Sequence, residues 1–145
     1  VDVALLNEEE ARALAGETHL SRAAERLLEA GAHAVIIKKG EHGALYHSRE
    51  ERFITPAYPV LALIDPTGAG DSFAGGFVGL LARLDRADGE VLRQAMACGT
   101  AMASLAIEAF SPERLVGTTP AEIEARVGEL HGMVHYDRFK MFPGP

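Results

Sequence analysis

Thirteen residues, Asp65 to Phe77, constrain this chain more than any others: DPTGAGDSFAGGF closes an apolar run, turns through glycines and opens an apolar helix. The amides of Gly68, Ala69 and Gly70 then point along the helix axis, where unpaired N–H groups and the positive end of the helix dipole favour an anion. Asp71 stands in the first turn. It either caps the helix or sits beside the bound anion and takes a proton from an attacking hydroxyl.

Spelling excludes two other phosphate loops. No Gly-Lys-Ser/Thr ending marks a Walker A loop, and Phe73 occupies the place of the third glycine in the dinucleotide pattern Gly-x-Gly-x-x-Gly. What remains resembles the second signature of the ribokinase-like (PfkB-type) carbohydrate kinases, a family that also includes adenosine kinases. The resemblance implies that Asp71 is the catalytic base, that the Gly68, Ala69 and Gly70 amides form the anion hole, and that Asp65 and Thr67 lie where many members bind a monovalent cation such as K+. ATP and Mg2+ are the implied cofactors. Pro66 replaces a more usual Thr and leaves its polar neighbours intact.

Two more segments carry the resemblance. Asn7 and Glu10 are similar to the family's Asn-x-x-Glu element, through which magnesium and phosphate are managed; a hard cation that keeps its waters can be placed by one carboxylate with an amide neighbour. Read from spacing alone, the same residues are a helix cap with a solvated acidic first turn. Lys38-Lys39-Gly40-Glu41-His42-Gly43 resembles the nucleotide-contacting turn, with Lys38, Gly40 and Gly43 as the expected contacts. Many members have Thr where Lys38 stands, and an ammonium there can serve a phosphate as a point charge.

Composition limits the alternatives. With 145 residues and 48% hydrophobic content, the chain can bury one core and is the size of one ordinary domain. The balance of 21 Asp plus Glu against 14 Lys plus Arg lacks the overall positive charge that draws nucleic acid or anionic lipid. Neither a membrane span nor a signal peptide is suggested, so a cytoplasmic enzyme is expected. Cys98, the single cysteine, excludes an internal disulfide and falls in an apolar helical pattern where a buried, inert thiol is expected.

Along the chain, Val1 to Leu6 reads as a short buried strand, and Asn7 to Glu10 opens a helix that Gly16 ends. Ser21 is the expected N-cap of a helix from Arg22 to Ala30, stopped by Gly31. Val35 to Ile37, Ala44 to His47, Arg52 to Thr55 and Val60 to Ile64 read as strands. Ser72 to Leu84 is an apolar helix in which Gly75, Gly76 and Gly79 permit close approach of a neighbouring backbone. A long helix is expected over Val91 to Phe110, and Thr119-Pro120-Ala121-Glu122 is a capping box starting an amphipathic helix to about Leu130. The tail from His135 has little periodicity.

This order predicts an α/β, ribokinase-like sandwich with a largely parallel sheet flanked by helices, forming the C-terminal part of a single kinase domain. Ligands then gather at the carboxyl ends of the strands, in the turns after Leu6, Lys38 and Ile64. Complete relatives are about twice this length, and their N-terminal half supplies much of the sugar pocket and the lid. The chain starts at an apolar strand without Met, as a C-terminal fragment or a processed chain would, and a half-domain exposes a sheet edge and apolar surface.

The expected function is ATP-dependent phosphorylation of a primary hydroxyl of a sugar or nucleoside, the isolated fragment being inactive; a homodimer is compatible with it. One alternative is a nucleotide-binding regulatory or assembly module that performs no transfer. Another is a metal site at His131, His135 and Asp137, since two histidines four apart share a helical face.

Overall fold

Val35, Ile36 and Ile37 form an unbroken apolar run because their strand is covered on both sides, a pattern that only a central strand can satisfy. In the computed structural model, which describes residues 1–110 and 113–135, this strand is β2 (Ala34–Lys38), with β1 (Val3–Asn7), β3 (Ala44–Ser48) and β4 (Arg52–Thr55) completing a sheet of order β1-β2-β3-β4. Val35 and Ile37 pack beneath α1 (Glu8–Ala15) and α2 (Leu20–Glu29), together with Ala11, Ala24, Leu27 and Leu28. Ile36 and Tyr46 face the other way, onto Phe73 and Phe77 of α3 (Ala69–Leu84) and Ala95 and Met96 of α4 (Gly89–Ala106). A short α5 (Glu113–Val116) leads to α6 (Pro120–Val134), which packs on α4.

The α/β sandwich is as expected, with one change in the sheet. β1 and β2 pair in parallel, whereas β2–β3 and β3–β4 are antiparallel, so this part of the sheet is mixed rather than largely parallel. The cause is connection length. A helical crossover separates β1 from β2, while the short turns after Lys38 and Ser48 can only return the chain antiparallel. β1 has no partner on its outer side among the described residues, and its apolar residues Val3 to Leu6 are only half-buried.

Most helix ends follow local chemistry. Asn7 caps α1 in a reciprocal capping box with Glu10, and Gly16 closes it in the left-handed conformation (φ 65°). Thr119 and Glu122 form a second box at α6, with Pro120 at the first helical position. Ser21 is not a cap, because α2 starts at Leu20, whose side chain reaches the second core. α3 starts three residues ahead of Ser72, and the Ser72 hydroxyl donates back to the Gly68 carbonyl at 2.8 Å. α4 ends at Ala106 rather than at Phe110.

Residues 60–64, expected as a strand, form none. They pair with no strand, and the amides of Ile64 and Asp65 go instead to the Ile107 carbonyl at the end of α4, at 2.8 and 3.3 Å. Leu61 and Leu63 are consequently exposed. Of the three glycines expected to admit a neighbour, only Gly76 does so, against α4; Gly75 and Gly79 face open space.

Candidate active site

The carboxyl ends of β1 and β2 place Asn7 and Lys38 side by side as register partners. Lys38 is followed by a tight turn, Gly40–His42, in which the Lys39 amide donates to the Gly43 carbonyl at 2.7 Å. Gly43 adopts φ 82° with its Cα against the Thr55 carbonyl and Pro56, where any side chain would collide with backbone. That contact seats the turn against the end of β4. Asn7, Lys38, Gly40 and Gly43 thereby reach one cavity of about 780 Å³, whose opposite side is Pro66, Ala69 and Gly70 at the start of α3.

Gly68 is the N-cap of α3 with φ 78°, a conformation that suits glycine and leaves no side chain over the helix end. The Ala69 amide donates to the Pro66 carbonyl at 3.2 Å and the Thr67 amide to Asp65 Oδ1 at 2.9 Å. Among the described residues, no acceptor takes the amides of Gly68, Gly70 or Asp71, so the positive pole of the helix is open. Lys38 adds to it: a methyl group on Gly70 would lie 2.6 Å from Lys38 Nζ, which puts the ammonium directly against the glycine. Asp71 is exposed in the first turn, next in the chain to the cavity-lining Gly70 and on the same helical face as Gly75 and Val78.

Asp65 and Thr67 shape the loop. The Asp65 carboxylate accepts the Thr67 amide in an Asx-type turn, and that bond holds its pKa below the usual carboxylate range. Asn7 and Glu10 are taken up by each other, with the Asn7 amide donating to Glu10 Oε2 and the Glu10 amide to Asn7 Oδ1, both at 2.8 Å. The cap read from spacing is therefore present, and Glu10 is exposed with its second carboxylate oxygen outside the box.

Sequence reasoning missed the far end of the cavity. There Tyr58, Pro59, Val60 and Leu63 form one wall, with Thr100, Ala103, Ser104 and Ile107 of the α4 side as the other. This end is mostly apolar. Periodicity could not reveal it, because residues 57–64 belong to no helix or strand and only the proline pair around Ala57 and Tyr58 hints at a fixed path.

His131 and His135 stack with ring centroids 5.1 Å apart, and Asp137 lies outside the described residues. No group of three or more His, Cys, Asp or Glu is placed to hold a metal among the described residues. Cys98 is half-buried, and burial pushes its thiol pKa up. No described helix is long and apolar enough to cross a membrane.

A glycine-opened helix N-terminus beside strand ends and a cavity is an arrangement with which α/β proteins can receive an anion. Residues 1–116 match the pfkB family of carbohydrate kinases, and the chain belongs to that family. It is 40% identical over 80 residues to cytidine kinase from Thermococcus kodakarensis, covering 54% of this chain and 28% of that protein. Aminoimidazole riboside kinase from Salmonella typhimurium is 35% identical over 96 residues, 66% of this chain and 30% of the relative. The matched stretches thus cover under a third of the length of these relatives. Among solved structures, aminoimidazole riboside kinase from Salmonella enterica complexed with aminoimidazole riboside and an ATP analog superposes with a TM-score of 0.76 at 28% identity, covering 88% of this chain and 42% of that one. A putative ribokinase II from E. coli in complex with ATP and Mg2+ gives 0.75 at 33% identity, covering 89% and 40%.

Proposed function

We propose that this chain is the nucleotide-binding, C-terminal part of an ATP-dependent kinase that phosphorylates a hydroxyl, primary by expectation, of a sugar or nucleoside. One observation carries the reading: Lys38, its ammonium against Gly70, lines a polar end of a cavity whose other end is apolar, and Gly68 and Asp71 flank Gly70 at the same open helix start. The polar end suits phosphates and the apolar end a base. Membership of the family and the complexes named for the two similar structures, one with an ATP analog and one with ATP and Mg2+, support it.

The chemistry follows from where charge moves. Asp71 receives the acceptor proton as that oxygen aligns with the terminal phosphorus, while Gly68 and Gly70 donate to the oxygens on which negative charge grows. Ala69 joins them if its 3.2 Å bond to Pro66 is exchanged for the phosphate. Lys38 holds a phosphate oxygen as a point charge. Magnesium, when bound, would neutralise phosphate charge, and Asn7 with the Glu10 carboxylate oxygen outside the capping box would be the residues that manage it. Asp65 and Thr67 fit a monovalent cation less directly, through a loop already closed by their own hydrogen bond.

Asp71→Asn in the complete protein tests the assignment. Turnover on a panel of sugars and nucleosides is expected to fall at least a hundredfold while ATP affinity by calorimetry stays within about threefold, since general-base catalysis contributes roughly 10²–10⁴-fold. Turnover near wild type rejects Asp71 as the base. ATP binding by the wild-type protein without product from any acceptor favours a nucleotide-binding module over a kinase.

A further inference from the structure

The apolar wall of the cavity is a segment with no secondary structure, and what holds it there has a specific chemical identity. Residues 56–66 run from the end of β4 to the start of α3 without joining a helix or strand. Ordering each such residue costs about 1–2 kcal/mol of backbone entropy, and the exposed Leu61 and Leu63 offset little of it by burial. At its far end the segment is fixed by the Ile107 carbonyl, which accepts the amides of Ile64 and Asp65. At its near end the anchor is the Tyr58 side chain. Its hydroxyl donates to Glu129 Oε2 on α6, and the Arg126 guanidinium lies over its ring at 4.4 Å.

Both partners are themselves held. Arg126 and Glu129 are three apart on α6 and so share one face. Arg126 is paired to Glu108 through two bonds, at 2.7 and 3.3 Å, and donates to the hydroxyl of Ser104, a residue of the opposite cavity wall, at 3.1 Å. One guanidinium thus ties the α4 wall, the 56–66 segment and α6 together. A stacked cation and a charge-assisted hydrogen bond are each stronger than a neutral contact, and both fall on the same ring.

We propose that Tyr58 is a positioning residue for nucleotide binding: its link to Glu129 and Arg126 fixes the apolar wall against which the base packs, so that α6, which does not line the cavity, sets nucleotide affinity. The proposal deepens the reading of the site given above and rests on it. Tyr58 shares the wall with Val60 and Leu63, holds them in place through its hydroxyl, and takes no part in phosphoryl transfer.

The test uses the full-length protein with Tyr58→Phe, which keeps the stacked ring and removes the donor, and with Glu129→Gln and the double variant. In Tyr58→Phe the KM for ATP and the dissociation constant from calorimetry are expected to rise about three- to tenfold, since only part of the energy of the lost charge-assisted bond is transmitted to the site. The kcat at saturating ATP and the KM for the acceptor stay within twofold. Hydrogen exchange at the amides of Val60 and Ile64 quickens, and the double variant is no worse than either single one, as for two ends of one bond. Unchanged ATP affinity in Tyr58→Phe overturns the positioning role, whether or not exchange quickens or the melting temperature falls, since a merely structural tie moves only those. A wild-type protein that binds no ATP removes the nucleotide reading itself and the proposal with it.

Discussion

Gly76 of α3 and Gly99 of α4 face each other where the two helices cross: a methyl on Gly76 would lie 3.0 Å from the Gly99 Cα, and one on Gly99 would lie 2.8 Å from the Phe73 carbonyl oxygen. Backbone blocks Gly99 foremost, while Gly76 meets the Met102 side chain at 2.8 Å and the α4 backbone at 3.0 Å. The crossing also sets how α3 presents its N-terminus, since Phe73 and Phe77 are packed in the same layer.

Gly99→Ala is therefore expected to destabilise the fold by about 1–3 kcal/mol, the usual cost of overpacking a filled contact. Gly128 of α6 supplies the control, because a methyl there meets nothing within 4 Å. Gly128→Ala should stabilise by about 0.5–1 kcal/mol through helix propensity alone. Urea denaturation of both variants checks the pair, and equal shifts of the same sign would contradict the close crossing.

Asn7 and Glu10 combine a local and a proposed catalytic duty, and substitution separates them. Asn7→Ala removes the acceptor for the Glu10 amide and should cost about 1 kcal/mol. Glu10→Gln keeps a capping-box acceptor, so stability should change by less than about 0.5 kcal/mol. It removes the charge, however, and the magnesium concentration needed for half-maximal ATP binding should rise severalfold. Calorimetry across a magnesium series reads this directly, and an unchanged midpoint would leave Glu10 with the cap alone.

How far the sequence disclosed the molecule depended on whether the signal was local. Asn7 with Glu10, and Thr119 with Glu122, are capping pairs within one turn, and both are formed as spelled. The glycine signature likewise carries its own geometry, since Gly68 at φ 78° allows the bare helix end. Signals that depend on distant partners were misleading. Residues 60–64 have strand-like composition, yet their path is set by the Ile107 carbonyl at the end of α4, which takes the amides of Ile64 and Asp65 away from any strand pairing. Gly75, Gly76 and Gly79 look alike in sequence, and only the position of α4 selects Gly76. Tyr58 was illegible for the same reason, because its partners Arg126 and Glu129 lie on a helix far along the chain.

His47 gives the fold a pH dependence. It is 2% exposed, and its Nδ1 has no hydrogen-bond partner among the described residues. Burial, followed by the neighbouring Arg52, holds its pKa below the ordinary 6.5. The unfolded chain then takes up the proton first as pH falls, so stability is complete above about pH 6.5 and is lost as pH drops toward the folded-state value. The urea midpoint should fall between pH 7.5 and 5, and His47→Leu should flatten that slope. Parallel slopes for the two proteins would show that other groups carry the effect.

The Lys38 ammonium is placed against the glycine loop, and its contribution can be separated from that of the helix pole. Replacing it by Thr, the residue many family members carry, removes a unit charge while leaving the β2 backbone pairing to Asn7 and Ala44 in place. Loss of a charge-assisted phosphate contact of about 1.5–3 kcal/mol should weaken ATP binding at least tenfold. Because a point charge on a solvated phosphate is screened, ATP affinity in the wild type should also fall more steeply with added salt than in Lys38→Thr. Titrations at low and high salt supply both numbers. Equal affinities with parallel salt dependence would mean that the open amides of Gly68 and Gly70 hold the phosphate unaided, and that the ammonium serves only to fill the space beside Gly70.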